Sequence, residues 1–290
     1  MCPVSQALYY LILKPLSYLP YWVLYGISNL LSLVFYHIIP YRKKVVMVNL
    51  ENSFPNKSPQ EIKTICRKFY NHLCDLIVES VKLFSISQKE INQRFVVTNA
   101  EILQPYFDKG KDLIIVGGHY NNWEILASGI DHQVPHDTVA LYSKLSNLFF
   151  DKKMKSSRGK FGLRMVTTKE SFSYFKEKHN TPQMTIFGAD QSPTYSKNVH
   201  WTTFLNQDTA IALGTEKFAK KYNIPVVYGA INKIKRGFYS LDISVLCNDP
   251  KNTSDGEITE LHTKKLEEQI IAQPEYWLWT HKRWKRKKES

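Results

Sequence analysis

The sequence predicts an α/β fold: a mixed, largely parallel central sheet flanked by helices, with an N-terminal membrane-anchoring helix. Short β-rich runs alternate with helical stretches from about residue 95 onwards, and this alternation is typical of a sheet covered by helices. The 290 residues are 43% hydrophobic and 22% charged, which excludes a wholly disordered chain and allows a substantial core. One long apolar stretch lies near the start of the chain.

That stretch runs from Tyr21 to Ile39 without a charged residue. At about 1.5 Å per residue it is just long enough to cross a hydrocarbon core roughly 30 Å thick. Arg42-Lys43-Lys44 follows, and basic residues favour the cytoplasmic side. A signal peptide fits poorly because no small-residue cleavage site follows the stretch. We predict an anchor over residues 1–44, spanning or interfacial, and a folded domain over residues 45–290; a core helix is the alternative, because polar residues dilute the stretch.

The first helix of the folded domain has a clear start. Ser58, Pro59 and Glu61 form the pattern of a capping box with proline at the first helical position, and apolar residues then recur at helical spacing. The candidate strands are Phe95–Thr98, Asp112–Val116, Thr138–Tyr142, Arg164–Thr167, Gln183–Phe187, Pro225–Ile231 and Tyr239–Val245. The candidate helices lie near Ala100–Lys109, Asn122–Asp131, Leu145–Phe161, Lys169–His179, Thr209–Tyr222 and Glu257–Ala272.

Charge and aromatic residues point to an anionic partner. The net charge of +13 suits nucleic acid, an anionic membrane surface or an acidic carrier protein. The four cysteines lack Cys-x-x-Cys spacing and predict reduced, cytosol-facing thiols. Aromatic residues crowd both ends of the chain, as at membrane–water boundaries. We therefore expect the basic C-terminal tail, with Trp277, Trp279 and Trp284, to contact a membrane surface.

One short segment has the residues for acid–base chemistry. The apolar run 112–116 is followed by Gly117-Gly118-His119, so the histidine is expected at the carboxyl end of a strand, where α/β sheets place their sites. Glu124 falls in the first turn of the next helix, within reach of the imidazole. A histidine is a competent general base near neutral pH, and a carboxylate on one ring nitrogen fixes its tautomer. His-x4-Glu is a weak pattern by itself, and a structural histidine is the alternative.

The run Gly117–Glu124 resembles the first motif of the late lipid A acyltransferases. These belong to the wider lysophospholipid and glycerol-phosphate acyltransferase superfamily, whose signature is His-x4-Asp/Glu. Other blocks of the family are matched along nearly the whole chain, at Arg42-Lys43-Lys44, Asn49-Leu50, Ser53-Phe54-Pro55, Arg158–Gly162, Asp190-Gln191, Pro225–Val227 and Pro274–Trp284. The chain departs from the family at Tyr120–Asn122 and Trp201–Asn206, where acceptor or acyl chain is expected.

The resemblance implies a role for each matching residue. His119 would deprotonate an acceptor hydroxyl that attacks a fatty-acyl thioester, with Glu124 orienting it. Arg158 would bind an acceptor phosphate or stabilise developing negative charge. The substrate-binding residues would be Gly117, Gly118, Asn122, Arg158, Asp190 and Gln191, the two glycines allowing close backbone approach to the thioester or oxyanion.

The predicted activity is acyl transfer from acyl carrier protein, or acyl-CoA, to a hydroxyl of a lipid A precursor. The alternative acceptors are a lysophospholipid and an acyl-amino-acid lipid. The enzyme is expected at the cytoplasmic side of a bacterial inner membrane, without a metal or cofactor and without a nucleic-acid partner.

Two other classes of protein remain as rivals. Charge and aromatic content suit a nucleic-acid-binding or lipid-binding protein, but no recognition motif for nucleic acid occurs in the sequence. In a metal-dependent hydrolase His119, Glu124, His132 and His136 would be ligands, but the spacing His-Glu-x-x-His is absent.

Overall fold

A seven-stranded sheet, in the order β1-β9-β8-β2-β5-β3-β4, forms the centre of the molecule. The computed structural model describes residues 3–194 and 198–288. The strands are β1 (Phe95–Val97), β2 (Leu113–Gly117), β3 (Asp137–Tyr142), β4 (Arg164–Thr167), β5 (Gln183–Gly188), β6 (Val199–Phe204), β7 (Gln207–Ala212), β8 (Val226–Lys235) and β9 (Phe238–Cys247). Five neighbouring strands from β8 to β4 are parallel, and β9 pairs antiparallel with β8. The predicted mixed, largely parallel α/β fold is confirmed.

Helices flank this sheet on both faces. The α-helices are α1 (Pro3–Ala7), α2 (Lys14–Ser17), α3 (Tyr21–Leu33), α4 (Lys43–Ser53), α5 (Pro59–Lys82), α6 (Gln88–Arg94), α7 (Gln104–Asp108), α8 (Trp123–Gly129), α9 (Leu148–Arg158), α10 (Ser171–Tyr174), α11 (Gly214–Tyr222) and α12 (Glu257–Ala272). π-helical turns lie at Leu8–Leu13 and Val34–Ile38, and 3₁₀ turns at Ala100–Leu103, Asp131–Gln133, Gly159–Phe161, Pro250–Asn252 and Pro274–Tyr276.

Alternate residues of the central strand β2 enter two separate cores. Ile114 and Val116 pack with α4, α5, α11, α12 and the C-terminal segment, whereas Leu113 and Ile115 pack with α6 and α8. A strand that is buried on both faces reads as a continuous apolar run, and this is why β2 is recognisable in the sequence.

Helix α5 begins where its sequence predicts. The Ser58 hydroxyl accepts from the Glu61 amide, and the Glu61 carboxylate accepts from the Ser58 amide at 2.7 Å. These two bonds form a complete capping box, which satisfies two amide donors at the helix start. Proline at the first helical position adds a fixed φ that suits the helix.

One predicted helix is partly wrong. The stretch Thr209–Tyr222 was expected to be helical throughout, but Gln207–Ala212 forms β7, and α11 begins only at Gly214. β7 pairs with β6 through a tight turn at Leu205 and Asn206, both with positive φ. Such turns usually carry Asn-Gly or Asp-Gly, so the Leu-Asn pair gives no hairpin signal. The predicted helix Lys169–His179 is also shorter in the structure, where α10 covers Ser171–Tyr174.

The N-terminal helix α3 lies against α5 with its polar side turned inwards. Ser28 donates to Asp75 at 2.7 Å, and Tyr25 donates to Glu79 at 3.0 Å. Trp22 faces outwards with 77% of its surface exposed. Among the described residues, Tyr21–Ile38 is the one helix that is long and apolar enough to cross a membrane, and only 17% of it is buried.

The prediction that the C-terminal tryptophans contact a membrane surface is wrong. Trp277, Trp279 and Trp284 were expected at a membrane surface, but they are 2%, 0% and 8% exposed. Each indole N–H has an internal acceptor: the Asp190 carboxylate, the Pro274 carbonyl and the Thr209 hydroxyl, respectively. The rings pack into the core beside α4 and α5, because tryptophan is amphipathic enough to serve either environment.

Candidate active site

The neighbouring strands β2 and β5 bring the two central side chains together. Their parallel register pairs Gly117 with Gly188, and the Ala189 amide donates to the Gly117 carbonyl at 2.9 Å. His119 follows β2 by two residues, and Asp190 follows β5 by two residues. Because the carboxyl ends of both strands meet at the same edge of the sheet, these two residues lie side by side.

His119 is bonded to Asp190 through both its ring and its backbone. Nδ1 of His119 lies 2.6 Å from Oδ1 of Asp190, and the His119 amide donates to Oδ2 at 2.8 Å. Trp277 Nε1 donates to the same Oδ2 at 2.9 Å. A carboxylate only accepts, so the ring proton belongs on Nδ1 and Nε2 is left as the basic nitrogen.

The electrostatics of the pair favour a charged aspartate and a basic histidine. Burial raises the pKa of Asp190, but the His119 imidazole and its hydrogen bonds outweigh this and place that pKa well below its ordinary value. Burial lowers the pKa of His119, but the adjacent Asp190 carboxylate raises it above its ordinary value of 6.5. The His119 side chain keeps 25% exposure, and its second nitrogen, Nε2, lies 3.3 Å from Gln191 Nε2.

Glu124 is bonded differently from what the sequence predicted. Arg158 donates to both of its oxygens, from Nε at 2.8 Å and from Nη2 at 2.5 Å, and Trp123 Nε1 donates at 3.2 Å. The carboxylate on the imidazole is therefore that of Asp190, and the expectation that Glu124 orients His119 is corrected. Glu124 still acts on His119 through its charge, which raises the histidine pKa.

Comparison with known proteins assigns the chain to a family. The model for bacterial lipid A biosynthesis acyltransferases matches residues 4–286. This chain belongs to that family. A lipid A biosynthesis lauroyltransferase of Escherichia coli (strain K12) is 22% identical over 275 residues, which cover 94% of this chain and 88% of the relative. The chain is accordingly an acyltransferase, with an acyl donor and a lipid acceptor as substrates.

Three glycines of this acyltransferase stand where an added Cβ would be crowded. A Cβ on Gly118 would lie 2.7 Å from Leu266 Cδ2 and 3.2 Å from Asp190 Oδ2, and one on Gly117 would lie 3.0 Å from the Gly229 carbonyl oxygen. A Cβ on Gly188 would approach the His119 ring at 3.3 Å. The close packing around His119 therefore favours glycine at these positions.

The two predicted amide residues lie in different surroundings. Gln191 is exposed, and its Nε2 lies 3.3 Å from His119 Nε2, on the open side of the ring. Asn122 is buried; it caps α8 by accepting from Ile125 N at 2.9 Å and donates to Glu79 at 2.6 Å. Gln191 therefore lies next to the second ring nitrogen of His119, while Asn122 supports the helix that carries Glu124.

The C-terminal segment of the acyltransferase forms one wall of the site. Leu278 N donates to the His119 carbonyl at 3.2 Å, and Asn121 N donates to the Tyr276 carbonyl at 2.9 Å. Trp277 between them is the third donor to Asp190. Reasoning from the sequence missed this role, because its only signal was a tryptophan-rich ending that membrane contact also explained.

The ligand set of a metal-dependent hydrolase is not assembled. His132 lies beside Phe161, and His136 Nε2 lies 3.1 Å from the Lys111 carbonyl. Across residues 3–194 and 198–288, no three His, Cys, Asp or Glu side chains are grouped as metal ligands would be.

Proposed function

We propose that this acyltransferase moves a fatty-acyl chain from an acyl carrier protein thioester to a hydroxyl of a lipid A precursor, with His119 as general base. The bond between His119 Nδ1 and the buried Asp190 carboxylate carries the proposal, because it leaves Nε2 as the basic nitrogen of a side chain that is 25% exposed. The printed name of the lauroyltransferase relative supports the lipid A acceptor. Acyl-CoA remains the alternative donor.

The reaction follows from this geometry. Nε2 of His119 takes the proton of the acceptor hydroxyl, and the oxygen attacks the thioester carbonyl to give a tetrahedral intermediate. Asp190 stabilises the imidazolium that forms. When the intermediate collapses, the C–S bond breaks, the imidazolium returns its proton to the leaving thiolate, and an ester and a free thiol result. The acceptor itself is the nucleophile, so no enzyme-bound acyl intermediate is needed.

Glu124 and Arg158 act on this reaction as a pair. The negative charge of Glu124 favours the imidazolium form of His119, and its two bonds fix the Arg158 guanidinium. A guanidinium held beside the base suits an acceptor phosphate or the oxyanion of the intermediate. Gly117, Gly118 and Gln191 complete the proposed substrate contacts, with Gln191 nearest to the basic nitrogen.

The N-terminal helix would hold the enzyme at a membrane in the plane of the interface. Its polar side chains bond to α5, while Trp22, Leu30 and Leu33 are 77%, 62% and 58% exposed. A helix with one side on the protein and an apolar side outwards fits a surface helix better than a span, since a span would bring the contacts with α5 into the hydrocarbon. The net charge of +13 favours the anionic cytoplasmic leaflet of a bacterial inner membrane.

Product formation by the full-length enzyme tests the proposal. With an acyl carrier protein thioester and a lipid A precursor in mixed micelles, mass spectrometry should show the addition of one acyl chain by the wild type. His119→Ala should lower the rate about 10²–10⁴-fold, the usual contribution of a general base. The control His132→Ala should act like the wild type. Wild-type rates with His119→Ala would contradict the proposed mechanism, and replacing the thioester by acyl-CoA distinguishes the donors.

A further inference from the structure

A buried carboxylate lies behind the active site and joins four elements. Glu79, near the end of α5, is 3% exposed. Its oxygens accept from Tyr25 Oη of α3 at 3.0 Å, from Asn122 Nδ2 at 2.6 Å and from Tyr239 Oη of β9 at 2.8 Å. Burial raises the pKa of Glu79 to about 7, so an anion is costly here and depends on these three donors.

Asn122 can be oriented in only one way by these bonds. Its Oδ1 accepts from Ile125 N at 2.9 Å to cap α8, and this turns Nδ2 towards Glu79. Position 79 must therefore supply an acceptor. Asn122 lies between His119 and Glu124 in sequence, and Glu124 stands in the first turn of α8, so the Asn122 side chain fixes the start of the helix that carries Glu124.

The third donor connects the same carboxylate to the N-terminal helix. Tyr25 lies on α3, which exposes Trp22 and Leu30 at its outer surface. A single side chain on α5 thus bonds both to the helix with the apolar outer surface and to the residue that caps α8.

We propose that Glu79 is a positioning residue for the active site, which sets the start of α8 through Asn122 and ties it to the N-terminal helix through Tyr25. This inference rests on the proposed acyl transfer at His119. Glu79 touches no reacting group; it keeps Glu124, Arg158 and the His119 loop in the arrangement that the reaction needs, and small displacements of such groups cost rate.

The test compares substitutions that change the bonds of Glu79 with the substitution of another buried carboxylate, which serves as the control. Glu79→Gln removes the charge and leaves one acceptor oxygen for the three donors, and Asn122→Ala removes the other partner of the Glu79–Asn122 bond. The control is Glu216→Gln: Glu216 is also 3% exposed, and it accepts from Gly256 N and Thr259 N at the start of α12. For the full-length enzyme in micelles, kcat, the KM for the acyl donor and the thermal unfolding midpoint are measured for each variant.

We expect Glu79→Gln to lower kcat about tenfold or more with little change in the KM for the donor. The double variant Glu79→Gln/Asn122→Ala should lose less than the product of the two single losses, since the two side chains share one bond. Glu216→Gln should lower the unfolding midpoint but keep the wild-type kcat. Tyr25→Phe, the mildest change, should lower kcat in a protein that still folds.

Several outcomes would overturn the inference. If Glu79→Gln and Tyr25→Phe lower only the unfolding midpoint and keep kcat, Glu79 is structural. If the kcat losses of Glu79→Gln and Asn122→Ala multiply, they do not act through a common bond. If His119→Ala is inactive and Glu79→Gln is fully active, the inference about Glu79 is wrong but the proposed function stands. If His119→Ala is active, the proposed function itself is wrong.

Discussion

At the scale of single residues, the chemistry depends on which carboxylate contacts the base. Asp190 is bonded to the His119 ring, while Glu124 is bonded to Arg158 and reaches His119 only through its charge. A carboxylate in direct contact with the ring fixes the tautomer and stabilises the imidazolium. A more distant negative charge stabilises the imidazolium more weakly and does not fix the tautomer. Asp190 is therefore the group whose loss should change the behaviour of His119 most.

The sign of this change can be worked out from the pKa shifts. Asp190 holds the pKa of His119 above 6.5, and a general base works only when it is neutral. Activity should therefore be present above that pKa and fall as the pH drops through it. When Asp190→Asn removes the charge, the burial that lowers the His119 pKa is no longer outweighed, and the acidic limb of the pH profile should move to lower pH.

At the scale of elements, the tryptophans at the two ends of the chain differ in burial. Trp279 is fully buried, packs on Phe54 and Trp277 with ring centroids 5.9 and 4.7 Å away, and donates to the Pro274 carbonyl. Trp22 on α3 is 77% exposed. The C-terminal segment is consequently a part of the core and of the active-site wall, while α3 presents an outer surface.

Unfolding by denaturant should separate these two roles. Trp279→Ala should lower the free energy of unfolding by about 3–5 kcal/mol, the usual cost of removing a buried aromatic side chain. Trp22→Ala should change it by no more than about 0.5 kcal/mol, because the indole is exposed. Equal losses for the two variants would contradict this assignment of core and surface.

At the scale of the whole molecule, the proposed docking on a membrane depends on the exposed apolar residues of α3. Leu30→Ser on α3 should weaken binding to anionic vesicles about tenfold, since a buried leucine side chain contributes about 1.5–3 kcal/mol. The control Ile271→Ser changes an equally apolar residue that is 57% exposed on α12, against 62% for Leu30. Vesicle sedimentation measures the membrane binding of both variants. A Leu30→Ser protein that binds like the wild type would argue against α3 as the docking surface.

The sequence allowed the sheet to be predicted more fully than the site. All seven strands of the central sheet were recognisable as short β-rich runs, and β2 most clearly, because a parallel strand buried on both faces is a continuous apolar run. The β6–β7 hairpin was missed because its Leu205-Asn206 turn lacks glycine. The contact between His119 and Asp190 depends on β2 pairing with β5, 71 residues apart. The spacing of residues in the sequence favoured Glu124 as the partner of His119, because spacing reveals only residues that are close along the chain.

The pH dependence of kcat/KM for the acyl donor, in the wild type and in Asp190→Asn, tests the central claim most directly. The wild type should show an acidic limb with a pKa above 6.5, the ordinary value for histidine. Asp190→Asn should show a lower plateau and a limb displaced to lower pH, because the imidazole has lost its anionic partner. A limb that stays at the wild-type pH in Asp190→Asn would contradict the claim that His119, held by Asp190, is the general base.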